Sequence, residues 1–210
     1  MILGVIPARG GSKGVPRKNI KLIAGKPLIF WTIEAAKRSK LLDDFLVSTE
    51  DSEIAEVSVS YGARVLQRPV ELAGDKSSSL SVLQHILNEI KADIAVVLQP
   101  TSPIRDDDLI DRCIRKFQDK GADSIATGFI CKFKEYGTYT QRRQDLKGFF
   151  YDDGNVYVVK ADLINKGRLT GEKIERLETC KEQNIEIDDD FDFWMAEQVL
   201  LKRIRERKMV

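Results

Sequence analysis

The chain has 210 residues, enough for one sizeable core with room for a small appendage. Its 34 Lys and Arg nearly balance 33 Asp and Glu, and a net charge of +1 excludes a general nucleic-acid binder, so any basic patch has to be local. Three cysteines, Cys113, Cys131 and Cys180, lie far apart without metal-ligand spacing. They fit unpaired core thiols in a reducing compartment. No window approaches the ~18 apolar residues of a membrane span, and no basic stretch followed by an apolar one opens the chain. The expectation is a cytoplasmic protein without membrane or nucleic-acid partners.

Met1 to Ile6 is an apolar run halted at Pro7, and it reads as a buried strand. It opens into a loop carrying Gly10, Gly11 and Gly14, with Arg9, Lys13, Arg17 and Lys18 packed between them. Glycines unshield backbone N–H groups and cations offset phosphate charge, so the loop suits a polyphosphate. It carries neither the Gly-Lys-Ser/Thr of a Walker loop nor GxGxxG. Lys13 and Arg17 read equally well as solvated surface cations.

A helix is predicted over residues 27–40, with Leu28, Trp31, Thr32, Ala35 and Ala36 at helical spacing. A strand follows at 45–49, a helix at 51–61 stopped by Gly62, and a short strand at 63–66. After an irregular stretch a helix covers about residues 80–91. Residues 94–98, a continuous apolar run, make the best central strand and end in Gln99-Pro100-Thr101-Ser102-Pro103. A helix at about 106–120 and a strand at 124–130 complete the alternation. The pattern implies an α/β fold: a mainly parallel, Rossmann-like sheet with helices on both faces. Ligands bind such sheets beyond the carboxyl ends of the strands, so the glycine loop and the Gln99 turn should share one rim.

Residues 132–151 have less evident order. Phe133, Tyr136, Tyr139, Phe149 and Phe150 alternate with basic residues, a composition that argues for packing against something, such as a second subunit. Residues 155–159 return as a strand, and a final helix runs from Asp188-Asp189-Asp190 to about Arg207, where Asp189 or Asp190 can cap it. The basic tail, Lys202 to Lys208, reads as a solvated helix end. His85, the single histidine, reads as structural or solvated. The expected organisation is one domain over 1–210, with 131–150 as an insertion for dimerisation and sugar binding.

Five segments in this order carry a resemblance. They are Ile6-Pro7-Ala8-Arg9-Gly10-Gly11-Ser12-Lys13-Gly14-Val15-Pro16-Arg17-Lys18-Asn19; Gln67-Arg68-Pro69 with Glu71-Leu72-Ala73 and Ser77-Ser78; Gln99 to Arg105; Asp153-Gly154-Asn155-Val156-Tyr157; and Ile187-Asp188. Together they resemble the CMP-sialic acid synthetase (acylneuraminate cytidylyltransferase) family, over nearly the whole chain. The resemblance implies attack by the anomeric hydroxyl of a nine-carbon 2-keto-3-deoxy sugar acid on the α-phosphorus of CTP, releasing pyrophosphate. It also implies a homodimer in which residues 131–150 reach toward the partner.

By that resemblance Arg9, Gly10, Gly11 and Ser12 hold the β- and γ-phosphates, and Lys18 serves the α-phosphate. Asn19, Arg68, Ser77 and Gln99 lie near the nucleoside. Gln99, Gln141, Arg143 and Tyr157 serve the sugar, with Arg143 on its carboxylate. Asp188 and Glu186 are implied ligands of Mg2+, which bridges phosphate oxygens; the family has two aspartates there. Arg9, Lys18 and Asp188 are the implied catalytic set. Asp153 stands where the family has asparagine, and its charge is unfavourable beside an anionic substrate unless it meets a hydroxyl or a cation. Leu169-Thr170 lacks the aromatic pair of some sialic acid enzymes. Both departures open a deaminated or otherwise modified nonulosonic acid beside N-acetylneuraminate. The alternatives are the eight-carbon 3-deoxy-manno-octulosonate enzyme and a non-catalytic nucleotide-binding protein.

Overall fold

The computed structural model describes residues 1–138 and 140–206; Tyr139, Arg207 and Lys208, named above, lie outside them. Among the described residues seven strands form one sheet, and a two-stranded hairpin stands apart. The strands are β1 (Ile2–Pro7), β4 (Asp44–Thr49), β5 (Arg64–Gln67), β6 (Ile94–Val97), β7 (Ser124–Cys131), β8 (Phe149–Lys160) and β9 (Ile174–Glu178). The hairpin consists of β2 (Leu22–Ile23) and β3 (Lys26–Pro27). Across the sheet the order is β5-β4-β1-β6-β8-β7-β9. β8 runs antiparallel to both neighbours, and the remaining pairings are parallel, which matches the mainly parallel expectation.

Chain direction across the sheet reverses between β1 and β6. From β1 the chain steps outward through β4 to β5, then returns to place β6 on the other side of β1. The loops leaving β1 and β6 therefore diverge, opening a crevice at the carboxyl ends of two adjacent parallel strands.

Helices α1 (Leu28–Arg38), α2 (Ser52–Ser60) and α4 (Leu109–Lys120) cover one face, packing Ile29, Ile33, Ile54, Leu109 and Ile114 on Ile6, Val47, Val96 and Val158. Helices α3 (Ser79–Glu89) and α5 (Ala161–Asn165) cover the other, with Val82, Leu83, Ile86 and Ile164 on Leu3, Val5, Ala95 and Val97. Alternate residues of one strand thus serve two cores, which is why β1 and β6 read as continuous apolar runs. Burying each such side chain contributes about 1.5–3 kcal/mol, as an upper bound. A third cluster lies under α6 (Asp190–Arg205), where Phe193, Ala196 and Leu200 meet Val15, Leu28, Trp31 and Ile187. It presses the last helix against the glycine loop.

Two boundaries, one strand and one exposure differ from expectation. α4 begins at Leu109 rather than near 106, because Asp106 is drawn away to Gln183 Nε2 (2.6 Å) and Arg203 Nη1 (3.0 Å). β8 begins at Phe149, so part of the segment expected to be irregular is strand paired to β7. β9, Ile-Glu-Arg-Leu-Glu, is an added edge strand whose alternating charges hid it. Cys113 and Cys131 are buried as expected, but Cys180 is exposed.

Candidate active site

Three remote segments converge on the crevice. Lys18 Nζ donates to the carbonyl of Ile187 at 2.5 Å, tying the glycine loop to the acidic segment before α6. The Ile187 N–H donates to the Thr101 carbonyl at 2.8 Å, tying that segment to the turn after β6. Loop and acidic segment also touch at Gly14, where a Cβ would sit 1.9 Å from the Asp188 carbonyl oxygen. No side chain larger than hydrogen fits that contact.

The crevice is a cavity of about 470 Å³. Arg9, Ser12, Lys13, Lys18, Asn19, Arg68, Ser77, Gln99 and Asp188 all line it. Eight of these were expected from the sequence, and Lys13, left open there, joins them. Arg68 is buried, with Nη2 donating to the Ser48 carbonyl at 2.7 Å; burial lowers its pKa, against the pull of Glu50. Burial also lowers the pKa of Lys18, while Asp188 and Glu186 act to raise it. Asn19 is held in place by donating its Nδ2 to the Arg9 carbonyl at 2.9 Å.

Gly10 and Gly11 belong to the loop but do not line the cavity. The Gly10 N–H is donated to Glu50 Oε1 at 2.7 Å. Arg17 sits at φ 55° and is committed to Asp51 (2.5 and 3.1 Å) and Glu53 (2.5 Å), so it braces the loop from outside. Asp75, which the sequence did not single out, lines the cavity and pairs with both Arg9 (3.0 Å) and Lys13 (2.7 Å). Its signal was weak: one aspartate in an irregular stretch whose partners are over sixty residues away.

A second cavity, about 320 Å³, adjoins the first and shares Ser79, Leu83, Val97 and Gln99 with it. Its remaining walls include Asp152, Tyr157, Val159, Leu169, Thr170 and Ile174. Tyr157 hydrogen-bonds Asp152; burial and then that carboxylate push its hydroxyl pKa above the usual value. Gln141 and Arg143 line neither cavity. Arg143 lies over the Phe133 ring at 4.9 Å, and the Gln141 carbonyl accepts from Lys134 Nζ at 3.3 Å.

A bulge aims β8 at this site. Between the pairs Ala126–Tyr157 and Gly128–Asp152, Thr127 alone faces Asp153 to Val156. Gly154, at φ 69°, makes the turn, and a Cβ there would meet Ser102 Oγ at 2.8 Å and Glu186 Oε1 at 3.3 Å. Asp153 is buried beneath it. Its oxygens accept from the hydroxyls of Thr127 and Thr179 at 2.6 Å each and from the Asn155 N–H at 3.0 Å. The charge that the family asparagine lacks is therefore met by hydroxyls below the bulge and does not line either cavity.

Glu186 and Asp188 stand one residue apart. Glu186 is exposed at its surface, yet desolvation of its carboxyl, then the charges of Asp188 and Asp152, push it above the usual range. Such a crowded oxygen pair suits a hard divalent cation. Among the described residues, no group of three or more His, Cys, Asp or Glu side chains could hold a metal ion, so a bound ion would need ligands from substrate. Asp189 is the N-cap of α6, accepting from the Phe191 and Asp192 N–H groups in a capping box, and Asp190 pairs with Lys21 at 3.0 Å.

A doubly wound sheet that opens a cationic cleft at its switch point is the architecture in which α/β proteins bind nucleotide phosphates. The family profile described as cytidylyltransferase matches residues 3–164, and the chain belongs to that family. It is 35% identical to N-acylneuraminate cytidylyltransferase A of Danio rerio, over 96% of this chain and 51% of that one. It is 30% identical to the N-acylneuraminate cytidylyltransferase of Escherichia coli, over 98% of this chain and 54% of that one. The chain thus spans about half the length of the curated relatives it matches. Among solved structures, CMP:2-keto-3-deoxy-manno-octonic acid synthetase complexed with CTP superposes with a TM-score of 0.78 at 14% identity, over 96% of this chain and 99% of that one. A cytidylyltransferase from Leptospira borgpetersenii gives 0.69 at 13%, over 98% and 94%. These two similarities establish the fold.

Proposed function

We propose that the protein transfers CMP from CTP to the anomeric hydroxyl of a nonulosonic, sialic-acid-like 2-keto sugar acid, releasing pyrophosphate. The observation that carries this is a pair of adjoining cavities that share Ser79, Leu83, Val97 and Gln99: one lined by Arg9, Lys13, Lys18 and Arg68, the other by Asp152, Tyr157 and an apolar wall. A donor in the first and an acceptor in the second would meet where they join. The names of the relatives supply the substrate class.

Phosphoryl-type transfer leaves the protein to align the reacting groups and to neutralise charge. Arg9 and Ser12 hold the leaving pyrophosphate. Lys18 exchanges its Ile187 carbonyl for a non-bridging α-phosphate oxygen, where charge develops. Arg68, Asn19 and Ser77 orient the nucleoside, and Gln99 borders donor and acceptor. Gly10 shapes the loop through Glu50. Asp188 and Glu186 are the residues that would hold Mg2+, which when bound would supply positive charge to offset the phosphates.

None of the side chains lining the second cavity is a cation, although the acceptor is a carboxylate. Phe133, Tyr136, Phe149 and Tyr151 are exposed together with Ile130 and Ile174. In our reading these apolar residues join two copies, and Gln141 and Arg143 act on the acceptor across that interface. The protein would then work as a cytoplasmic homodimer, its insertion at 131–150 serving both contacts.

The deciding measurement is pyrophosphate release with CTP, Mg2+ and a panel of nine- and eight-carbon keto acids. Release with a nine-carbon acid, and with all three components required, is expected. Preference for the eight-carbon acid would reassign the acceptor. Silence across the panel by folded, CTP-binding protein would remove the activity.

A further inference from the structure

Arg105 is 2% exposed and carries its charge beneath the floor of the site. Its fork spans three elements. Nη2 donates to the Gln99 carbonyl at 2.7 Å and to the Asn155 carbonyl at 2.9 Å; Nε also reaches Asn155, at 3.2 Å; and Nη1 donates to Thr32 Oγ1 at 2.9 Å. Every one of these acceptors is neutral. Burial pulls its pKa down to about 9, and the charge of Asp153 nearby acts to raise it. Its own carbonyl is held in turn by Arg203 at 3.3 Å.

A buried cation without a hydrogen-bonded carboxylate bears a desolvation cost that neutral acceptors offset only in part. Fold stability alone is therefore a weak reason for a guanidinium here. The acceptors supply a better one. Gln99 is one of the four residues that line both cavities, and Asn155 follows Gly154 in the bulge that meets Ser102 and Glu186. Thr32 lies on α1, whose first turn packs in the cluster that also holds Val15 of the glycine loop. Only a planar fork can bond all three at once; a lysine amine has one centre.

From this geometry we infer that Arg105 is a positioning residue for transfer. It locks the end of β6 to the β8 bulge so that Gln99 keeps its place between donor and acceptor. The assignment rests on the activity proposed above for its rate readout, and on CTP affinity for a readout that needs no acceptor.

The test is a double-mutant cycle of Arg105→Met and Gln99→Ala in the full chain, reading kcat, KM for each substrate, CTP affinity by calorimetry and Tm. Arg105→Met leaves the Gln99 and Asn155 carbonyls and the Thr32 hydroxyl without that donor and is expected to lower Tm modestly. It should lower kcat/KM for the acceptor about tenfold or more when Gln99 is present, and less than about twofold in the Gln99→Ala background. Arg105→Lys, which keeps the charge but not the fork, should resemble Arg105→Met. Additive effects in the two backgrounds, or full activity in Arg105→Met, would overturn the inference. So would failure of both Arg105 variants to fold, which would make the residue a requirement of the core. An inactive but CTP-binding wild type would instead remove the proposed activity, and the same cycle read in CTP affinity would still judge Arg105.

Discussion

At the scale of single residues, charge placement divides the cations of the opening loop into distinct tasks. Arg17 is spent on Asp51 and Glu53, whereas Lys18 faces the cavity and, among the described residues, is tethered by the Ile187 carbonyl. Lys18→Ala should therefore cut turnover by about 10²–10³ while changing CTP affinity far less, as steady-state rates beside calorimetry will show. Asp75 occupies Arg9 and Lys13 in the free protein, a contact that an incoming triphosphate must replace. Asp75→Asn should tighten CTP binding, by no more than about fivefold because exposed pairs are individually weak. Weaker binding in that variant would show that Asp75 serves the bound nucleotide instead. Asp123 sets an acid limit. The Lys160 ammonium and then the Lys173 and Glu172 N–H groups pull its pKa from 3.8 to about 2. A folded-state value below the unfolded one means stability present above about pH 4 and lost as pH falls toward 2. Acid titration of Asp123→Asn should accordingly show a shallower loss between pH 4 and 2 than the native chain.

At the scale of elements, close approach of backbones matters more than helix or strand propensity. The Gly14 contact with the Asp188 backbone leaves no room for a side chain, and the Gly154 turn at φ 69° strains any residue that carries one. Gly154→Ala should lower stability by at least about 1–2 kcal/mol from the left-handed backbone alone, measured by denaturant unfolding. It should also depress turnover, because Glu186 and Ser102 would have to move. Gly14→Ala should separate loop from acidic segment and impair CTP binding with a smaller effect on unfolding, since the loop lies outside the sheet. Equal CTP affinity in that variant would mean that loop and segment are not used together.

At the scale of the whole molecule, a nearly neutral chain concentrates cations in one crevice and leaves an aromatic surface around β8 exposed. If that surface joins two copies, sedimentation at micromolar concentration should give a dimer. Phe133→Asp with Tyr136→Asp should then shift it to monomer and reduce acceptor turnover together. A native monomer with full activity would separate Arg143 from the site.

Apolar runs and their punctuation determined the parallel core of this protein, because a strand buried on both faces must be apolar throughout, and β1 and β6 declare themselves that way. The short motifs, through the family resemblance they carry, also pointed to most of the residues that line the cleft, from Arg9 to Asp188. Tertiary structure alone decided which cations point inward, since Arg17 and Lys18 are adjacent in sequence and part company only through Asp51, Glu53 and Ile187. It alone placed Asp75 across the crevice and Asp153 beneath the bulge, and it alone set Arg105 under Gln99. Each of those outcomes depends on partners dozens of residues away, and distance along a chain carries no record of which groups will meet once the sheet has closed over its two cores.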